Sequence, residues 1–524
     1  MAIKTIPFDL ATAMAMPDWR AQVAWPLRQS DTNRLMRKQL VAVTEFLSRL
    51  DDSFLRDTAL LASHGLLLQA RAVIIAAMAV EATETDGVRL VGEPPELAYL
   101  RGDWPAGEPL PRRPLHYWPR LRIRMPWLRR SARLASWTPW WRLPAATFFP
   151  AACAVSHNGL LRDYAAHSGI PVGYAHGDLI LDAARARAKP VQPDLGGLSG
   201  DFASLMLANI PLAEPYRGRT ARLLQHLAAS HLAAAAADVS ALRDFDGLPE
   251  TLWSGTGGAY ASRALGLEAI RRGGTAVRFD HGGATGFVEN LEFLALVEFA
   301  VSSDFVTATK WIADALIAMG APGLTAPLPS TCITGLTSDP TFRRIPVARP
   351  GGPSRRLRVI YAPTVLLGFR QLYPCLLPDV VYLDWQLRLV EQLLRLPIDL
   401  ICKPHPEGLL QGRRHPLADF APTRTGRFEA LVDEADVFIF DYAPSTTFWE
   451  AVCTDRRVVL VDLGIARFTR FGQPLIDARC RVITADWDAD NRPVLSQPAL
   501  AEAVLGGPIK ADPTPFRRVL AGDT

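Results

Sequence analysis

"DLICKPHPEG" (Asp399–Gly408) and "DVFIFDYAPSTTFWEAV" (Asp436–Val452) decide the fold. Each opens on a short apolar run, the pattern of a strand buried on both faces. The first run ends in Lys403 and His405, each followed by a proline. The second ends in Asp441, and after Pro444 the triplet Ser445-Thr446-Thr447 opens a helical pattern through Phe448, Trp449 and Glu450. A strand that runs straight into a helix start is the repeating unit of a parallel sheet.

The same rhythm extends outward. "RVIYAPT", a helix from about Tyr382 to Arg395, a helix "FEALVDEA" and a strand "RVVLVDLG" surround the two stretches. An earlier run begins at Ala146, with a buried strand "TFFPAACAVSHNG", a helix "LLRDYAAHSG" and a strand "IPVGYAHGD". It continues through "TLWS", the loop "GTGG", the helix "AYASRALGLEAIRRGG", the strands "TAVRFDHGG" and "DFVTATK", and the helix "WIADALIAMGAP". "PVARPGGPSRRLR" (Pro346–Arg358) separates the runs and reads as a linker. The predicted fold is α/β, with two doubly wound, Rossmann-like domains facing a cleft and a helical N-terminal extension. Predicted bounds are 1–145 for the extension, 146–345 for the first domain, 346–357 for the linker, 358–490 for the second domain and 491–524 for a tail.

At 524 residues the chain exceeds a single core, which stops growing near about 250–300 residues, so two domains are expected. A net charge of +4 is too small to imply a nucleic-acid partner. The six cysteines show no zinc-type spacing, and a reducing, cytoplasmic setting is expected. "LLASHGLLLQARAVIIAAMAV" (Leu60–Val80) carries His64, Gln69 and Arg71, which favours a buried helix over a membrane span. From Pro109 to Arg162 there is no Asp or Glu, while nine arginines and five tryptophans fall between Arg112 and Arg142. That segment suits an anionic membrane surface or an anionic glycan; it reads equally as a basic loop whose tryptophans pack inward.

Ligands of doubly wound sheets sit at the carboxyl ends of the strands, and the polar clusters fall there. Ser445-Thr446-Thr447 offers helix-end N–H groups and hydroxyls to a phosphate, although alone it reads as a plain N-cap. Because little chain intervenes, the Lys403–His405 and Asp441–Ser445 strand ends are expected to be neighbours. Asp280-His281-Gly282-Gly283 ends a strand of the first domain. Adjacent strand residues point to opposite faces, and His281 is expected to be the one that faces the cleft. His281 and Asp280 are the candidate catalytic pair, with Gly282 and Gly283 allowing close approach. "SGTGGAY" (Ser254–Tyr260), with Gly257, is a weaker anion or sugar cradle. His157-Asn158-Gly159 and His176-Gly177-Asp178 end neighbouring strands and read either as acceptor contacts or as structural turns. The two Asp-x-Asp sequences lie away from these motifs, so no metal and no resident cofactor are expected.

Lys403-Pro404-His405-Pro406, followed about 35 residues later by Asp441, Ser445-Thr446 and Glu450, resembles the motif pair of bacterial surface-polysaccharide transferases of the glycosyltransferase B fold. These include polysialyltransferases, capsule Kdo transferases and CDP-glycerol glycerophosphotransferases. "FDHGGATGF" (Phe279–Phe287) is similar to the "QHGG-x-YG" loop of a related group, with Asp280 in place of the glutamine. The resemblance covers roughly Ala146–Gly464. It implies a nucleotide-binding role for His405, Ser445 and Thr446, joined in the same cleft by Lys403, Asp441, Thr447 and Glu450. The implied reaction is transfer of a sugar from a nucleotide-sugar, a CMP-linked acidic sugar first, to a glycan or lipid-linked acceptor at the membrane. A CDP-polyol phosphotransferase and a nucleotide-sugar epimerase would use the same cleft.

Overall fold

The computed structural model describes residues 5–111, 126–189, 194–321, 323, 331–347, 356–370, 374–506 and 511–523, with the backbone alone over 126–130. Two parallel sheets carry the molecule. The first comprises β1 (Ala152–Ala154), β2 (Val172–Tyr174), β3 (Thr251–Ser254), β4 (Thr275–Phe279), β5 (Asp304–Thr307) and β6 (Cys332–Gly335), in the order β2-β1-β3-β4-β5-β6. The second comprises β7 (Leu357–Tyr361), β8 (Ile398–Cys402), β9 (Val437–Phe440), β10 (Arg457–Asp462) and β11 (Arg481–Thr484), in the order β8-β7-β9-β10-β11. Every pairing within these two sheets is parallel. The molecule is therefore a mixed α/β protein with two Rossmann-like sheets. Strands such as β9, buried along its whole length, are apolar throughout because helices cover both faces of the sheet.

The helices used below are α1 (Gln29–Ser48), α2 (Ser53–Thr85), α3 (Pro126–Trp137), α4 (Gly159–His167), α5 (Tyr216–Arg243), α6 (Tyr260–Arg271), α7 (Asp379–Leu393) and α8 (Thr446–Val452). A short strand, Arg89–Val91, pairs in parallel with Thr5–Pro7.

Three expectations are corrected. The strand at "TFFPAACAVS" shrinks to Ala152–Ala154, because Leu143–Phe148 is a helix with Pro144 in its first turn, where proline is tolerated. "FEALVDEA" is a 3-10 segment, Phe428–Glu434, rather than an α-helix. The strand ends carrying His405 and Ser445 are not neighbours, since β7 lies between β8 and β9. The first strand of a doubly wound sheet sits in the middle, and the chain crosses it to build outward on the other side.

The N-terminal helices form a layer of the molecule. Helix α2 is capped by Asp52, whose carboxylate accepts the Leu55 N–H at 2.8 Å. By length and composition it is apolar enough to cross a membrane, yet 78% of its most apolar window is buried inside the protein. Its polar residues are used there. Arg71 donates to the Met36 carbonyl of α1, and His64 packs edge-on to Phe293. Residues before α1 also reach the second sheet, through Arg20 to Glu391 at 2.6 Å and Asp384 at 3.4 Å. At the other end of the chain, the turn Arg517–Ala521 returns to the first sheet, where Thr309 Oγ1 donates to the Val519 carbonyl and Asp339 N–H to the Leu520 carbonyl. The proposed linker lies in part outside the described residues, as does most of the Arg/Trp segment.

Candidate functional site

The carboxyl ends of β7 and β9 form the switch point of the second sheet, and Asp441 fills its floor. Asp441 is buried and accepts from Tyr361 Oη at 2.5 Å, Tyr382 Oη at 2.7 Å and Trp385 Nε1 at 3.0 Å. Burial raises its pKa, and these three donors oppose the rise. Tyr382 Oη also accepts the Thr364 N–H at 2.8 Å. Asp441 thus buckles β7, β9 and α7 together beneath the site, and its oxygens are not offered to a ligand. That corrects its placement among the ligand contacts.

Above this floor, Ser445 occupies the N-cap position of α8, but its side chain makes no capping bond. The hydroxyls of Ser445, Thr446 and Thr447 take no hydrogen bond among the described residues, and Thr446 is exposed. The plain N-cap reading of Ser445 therefore does not hold. Across β7, Lys403 is buried with its N–H on the Tyr361 carbonyl. His405 accepts the Glu407 N–H at Nδ1 (3.2 Å), which leaves Nε2 to carry the proton of the neutral ring and act as a donor. One intervening strand separates the two ends by about 10 Å.

Glu450, one turn along α8, feels the Lys403 charge across this gap. Burial, reinforced by Glu429, raises its pKa to about 8, with Lys403 opposing. Burial lowers Lys403 and His405. Both partners of the Lys403–Glu450 pair are pushed toward their neutral forms.

The first domain delivers its Asp280–Gly283 loop to the same place. Asp280 turns inward, where its carboxylate accepts from Thr285 Oγ1 at 2.7 Å and from the His281 N–H at 2.8 Å. His281 is exposed, and it lies beyond the end of β4 at Phe279, so the strand alternation invoked for it does not reach it. The Asp280 carboxylate is spent on Thr285 and the backbone and does not hold the imidazole. Burial raises Asp280 to about 6 and also raises Asp339, which lies within electrostatic reach of Asp280, His281 and Glu450. Gly282 has φ +86°, and a Cβ there would lie 3.3 Å from Thr446 Oγ1. At Gly283 (φ +79°) a Cβ would lie 2.8 Å from the Cβ of Trp449. Phe287 stacks between Trp449 (4.7 Å) and Trp311 (5.0 Å). The two sequence motifs, about 160 residues apart in the chain, meet across the domains.

Three further candidates are committed within the protein itself. The Gly257 N–H is bound by the Glu298 carboxylate at 2.6 Å, and Gly255 and Gly258 donate to Ser156 and Thr256. A protein carboxylate already occupies this cradle, so it has no amides to give to a ligand. His157 packs at a tilt against the rings of Trp137 (6.0 Å) and Tyr174 (6.2 Å). Burial and the neighbouring Arg133 and Arg162 lower it to about 4, so it is a neutral packing group. His176 takes the N-cap of Gly177–Arg187.

Two residues have roles that sequence reading did not assign. Asn158 donates through Nδ2 to the carbonyls of Gly255, Phe279 and Asp280, each at 2.9 Å, and so fixes the loop that bears His281. Asp339 caps the short helix Pro340–Arg343, and the "DPT" start was its only signal. A cavity of about 770 Å³ opens between α1 and Gly464–Arg467, with Arg34, Arg37, Lys38 and Glu289 in its walls and none of the site residues above among them. Among known proteins, no family model matches the chain, and no curated protein matches it.

Proposed function

We propose that the protein is a glycosyltransferase of the B type, moving a sugar from a nucleotide-activated donor to a glycan or lipid-linked acceptor in the cleft between its two sheets. The observation that carries this reading is the approach of Gly282 to Thr446, which brings the exposed His281 of one domain against the hydroxyl-rich helix start of the other. Lys403, His405 Nε2 and the Ser445–Thr447 hydroxyls supply cationic and neutral donors about 10 Å apart, a span suited to a nucleoside diphosphate or to a nucleoside monophosphate with its sugar. Donors of this kind stabilise a leaving phosphate as the glycosidic bond breaks. His281 stands where an acceptor hydroxyl would lose its proton, and Asn158 and Asp280 hold its backbone. The raised acids Asp280, Asp339 and Glu450 around one cleft support a functional rather than a packing origin.

Thermal shift with CMP, CDP and UDP tests the donor site, with stabilisation expected from at least one of them. The reading fails if none stabilises the wild type, or if His405→Ala leaves the stabilisation intact. Product analysis with the stabilising nucleotide's sugar or polyol conjugate then separates sugar transfer from transfer of a phosphoalditol and from epimerisation.

A further inference from the structure

Trp140, Trp141, Phe148 and Phe149 project from one corner of the first domain, 78%, 63%, 72% and 82% exposed. The next most exposed large hydrophobic residue among those described is Met14, at 53%. The corner is a fixed piece of structure. Trp140–Arg142 is a 3-10 turn that continues directly into the helix Leu143–Phe148, and the Phe149 N–H closes on the Ala145 carbonyl. Its inner face is anchored, with Trp137 and Ala146 buried and the Trp137 ring edge-on to Tyr174 of β2 at 5.5 Å. The rings on the outer face therefore have a packed counterpart beneath them and are not a displaced part of the core. Isolated exposed hydrophobics are ordinary, but four large aromatics within ten residues mark an interaction site.

Charge narrows the partner. Between Ser131 and Arg162 the chain carries Arg133, Arg142 and Arg162 and no acidic residue. Burial and the neighbouring guanidinium groups of Arg133, Arg344 and Arg427 push the Arg162 guanidinium down. This stretch carries a positive field beside the aromatic corner, and the first acid after it, Asp163, is ion-paired to Arg343 at 3.3 Å. A second copy of the chain would set this field against itself. A sugar chain would need a flat aromatic platform, whereas Trp140 and Trp141 stand at 90° to each other. Tryptophan and phenylalanine beside arginine match the interface of an anionic bilayer, where rings sit at headgroup depth and guanidinium groups meet phosphate.

We propose that Trp140, Trp141, Phe148 and Phe149 form a docking surface that inserts into an anionic lipid bilayer. Trp137 links this face to the cleft, because its ring also lies 6.0 Å from His157 at the end of β1. Docking then holds the acceptor side of the cleft at the lipid surface. That consequence rests on the transferase reading; the docking itself does not.

The test is co-sedimentation of the full chain with phosphatidylcholine vesicles, with and without phosphatidylserine. Binding is expected only with phosphatidylserine and should weaken with salt. A blue shift of tryptophan emission and quenching by brominated lipid should accompany it. Combining Trp140→Ser with Trp141→Ser, or Phe148→Ser with Phe149→Ser, should lower the partition coefficient by about tenfold or more. Arg142→Gln should lower it about fivefold. Stabilisation by nucleotide should be unchanged in all three, which separates this failure from failure of the donor site. Docking is overturned if the wild type does not sediment with anionic vesicles, or if brominated lipid leaves its fluorescence unquenched. It is also overturned if the aromatic variants keep their vesicle binding and instead lose binding to an acidic polysaccharide or dissociate a dimer.

Discussion

One added methyl group at Gly283 probes the meeting of the two sheets. Gly283 has φ +79°, and a Cβ placed there would lie 2.5 Å from Phe342 Cζ, 2.8 Å from Trp449 Cβ and 3.0 Å from Trp449 Cγ. Phe342 and Trp449 are both fully buried, so neither can swing away. The left-handed backbone costs an alanine about 1–2 kcal/mol, and forcing a methyl into packed rings about 1–3 kcal/mol more. Gly283→Ala should therefore lose about 2–5 kcal/mol. Two controls separate the contributions. Gly320 has φ +84° with nothing within 4 Å, and Gly282 has φ +86° with only the rotatable Thr446 hydroxyl at 3.3 Å. Both alanine variants should show the backbone cost alone, about 1–2 kcal/mol. Urea denaturation followed by tryptophan fluorescence measures all three. Gly283→Ala should also weaken any nucleotide-induced thermal shift, since the loop must retreat from α8. Equal losses at Gly283 and Gly320 would refute the interdomain contact.

Asp441→Ala leaves the Tyr361, Tyr382 and Trp385 donors buried and unpaired and should cost about 3–5 kcal/mol in denaturant unfolding, whereas Tyr361→Phe should cost about 1–2. Nucleotide stabilisation lost without any loss of stability would return Asp441 to the ligand contacts. Phe516→Ala removes a fully buried ring lying 5.6 Å from Phe287 and 5.9 Å from Trp449; it should cost about 3–5 kcal/mol by the same measurement, and a loss under 1 kcal/mol would deny the tail its closing role. Glu450, facing Glu429, Asp339 and Lys403, keeps its proton in the folded state up to about pH 8 but loses it near 4.5 when unfolded. The folded state binds the extra proton between those values, so stability falls as pH rises through that window. Glu450→Gln should flatten the melting temperature against pH there, and an unchanged slope would assign the effect to another group.

Much of the fold was legible because buried parallel strands are written almost without polar residues. β9 and β10 could be read from "VFIF" and "RVVLVD" alone. Strand order was less legible. Nothing local in "DLICKPHP" or "DVFIFD" records that β7 inserts between them, since the sheet grows on both sides of its first strand. The helix Leu143–Phe148 was misread because aromatic and small residues suit a strand equally well, and its exposed Phe148 and Phe149 obey no core pattern. At the site, the motifs gave positions but not commitments. Whether an Asp or a Gly N–H is free depends on partners far along the chain. Glu298 silences Gly257, and two tyrosines and a tryptophan claim Asp441. The bridging role of Asn158 was not read for the same reason, as its three acceptors come from two other strand ends.

By formal charge, a cleft bordered by Asp280, Asp339 and Glu450 is a poor place to hold a phosphate. Three ionised carboxylates would repel it, and Lys403 alone would not offset them. Burial reverses that reasoning. It pushes Asp280 to about 6 and Glu450 to about 8, and it raises Asp339 as well, so their charge near neutral pH is smaller than their number. The same burial pushes Lys403 down from the usual lysine range. An arriving anion would favour the protonated forms of all four groups, because each proton bound lowers the repulsion or adds attraction. Charge and proton uptake are then coupled, so an entering anion would draw protons onto these groups. On this reasoning the acids beside α8 would tune the lysine and the hydroxyls proposed to bind the anion. They are compatible with an anion site because they are buried.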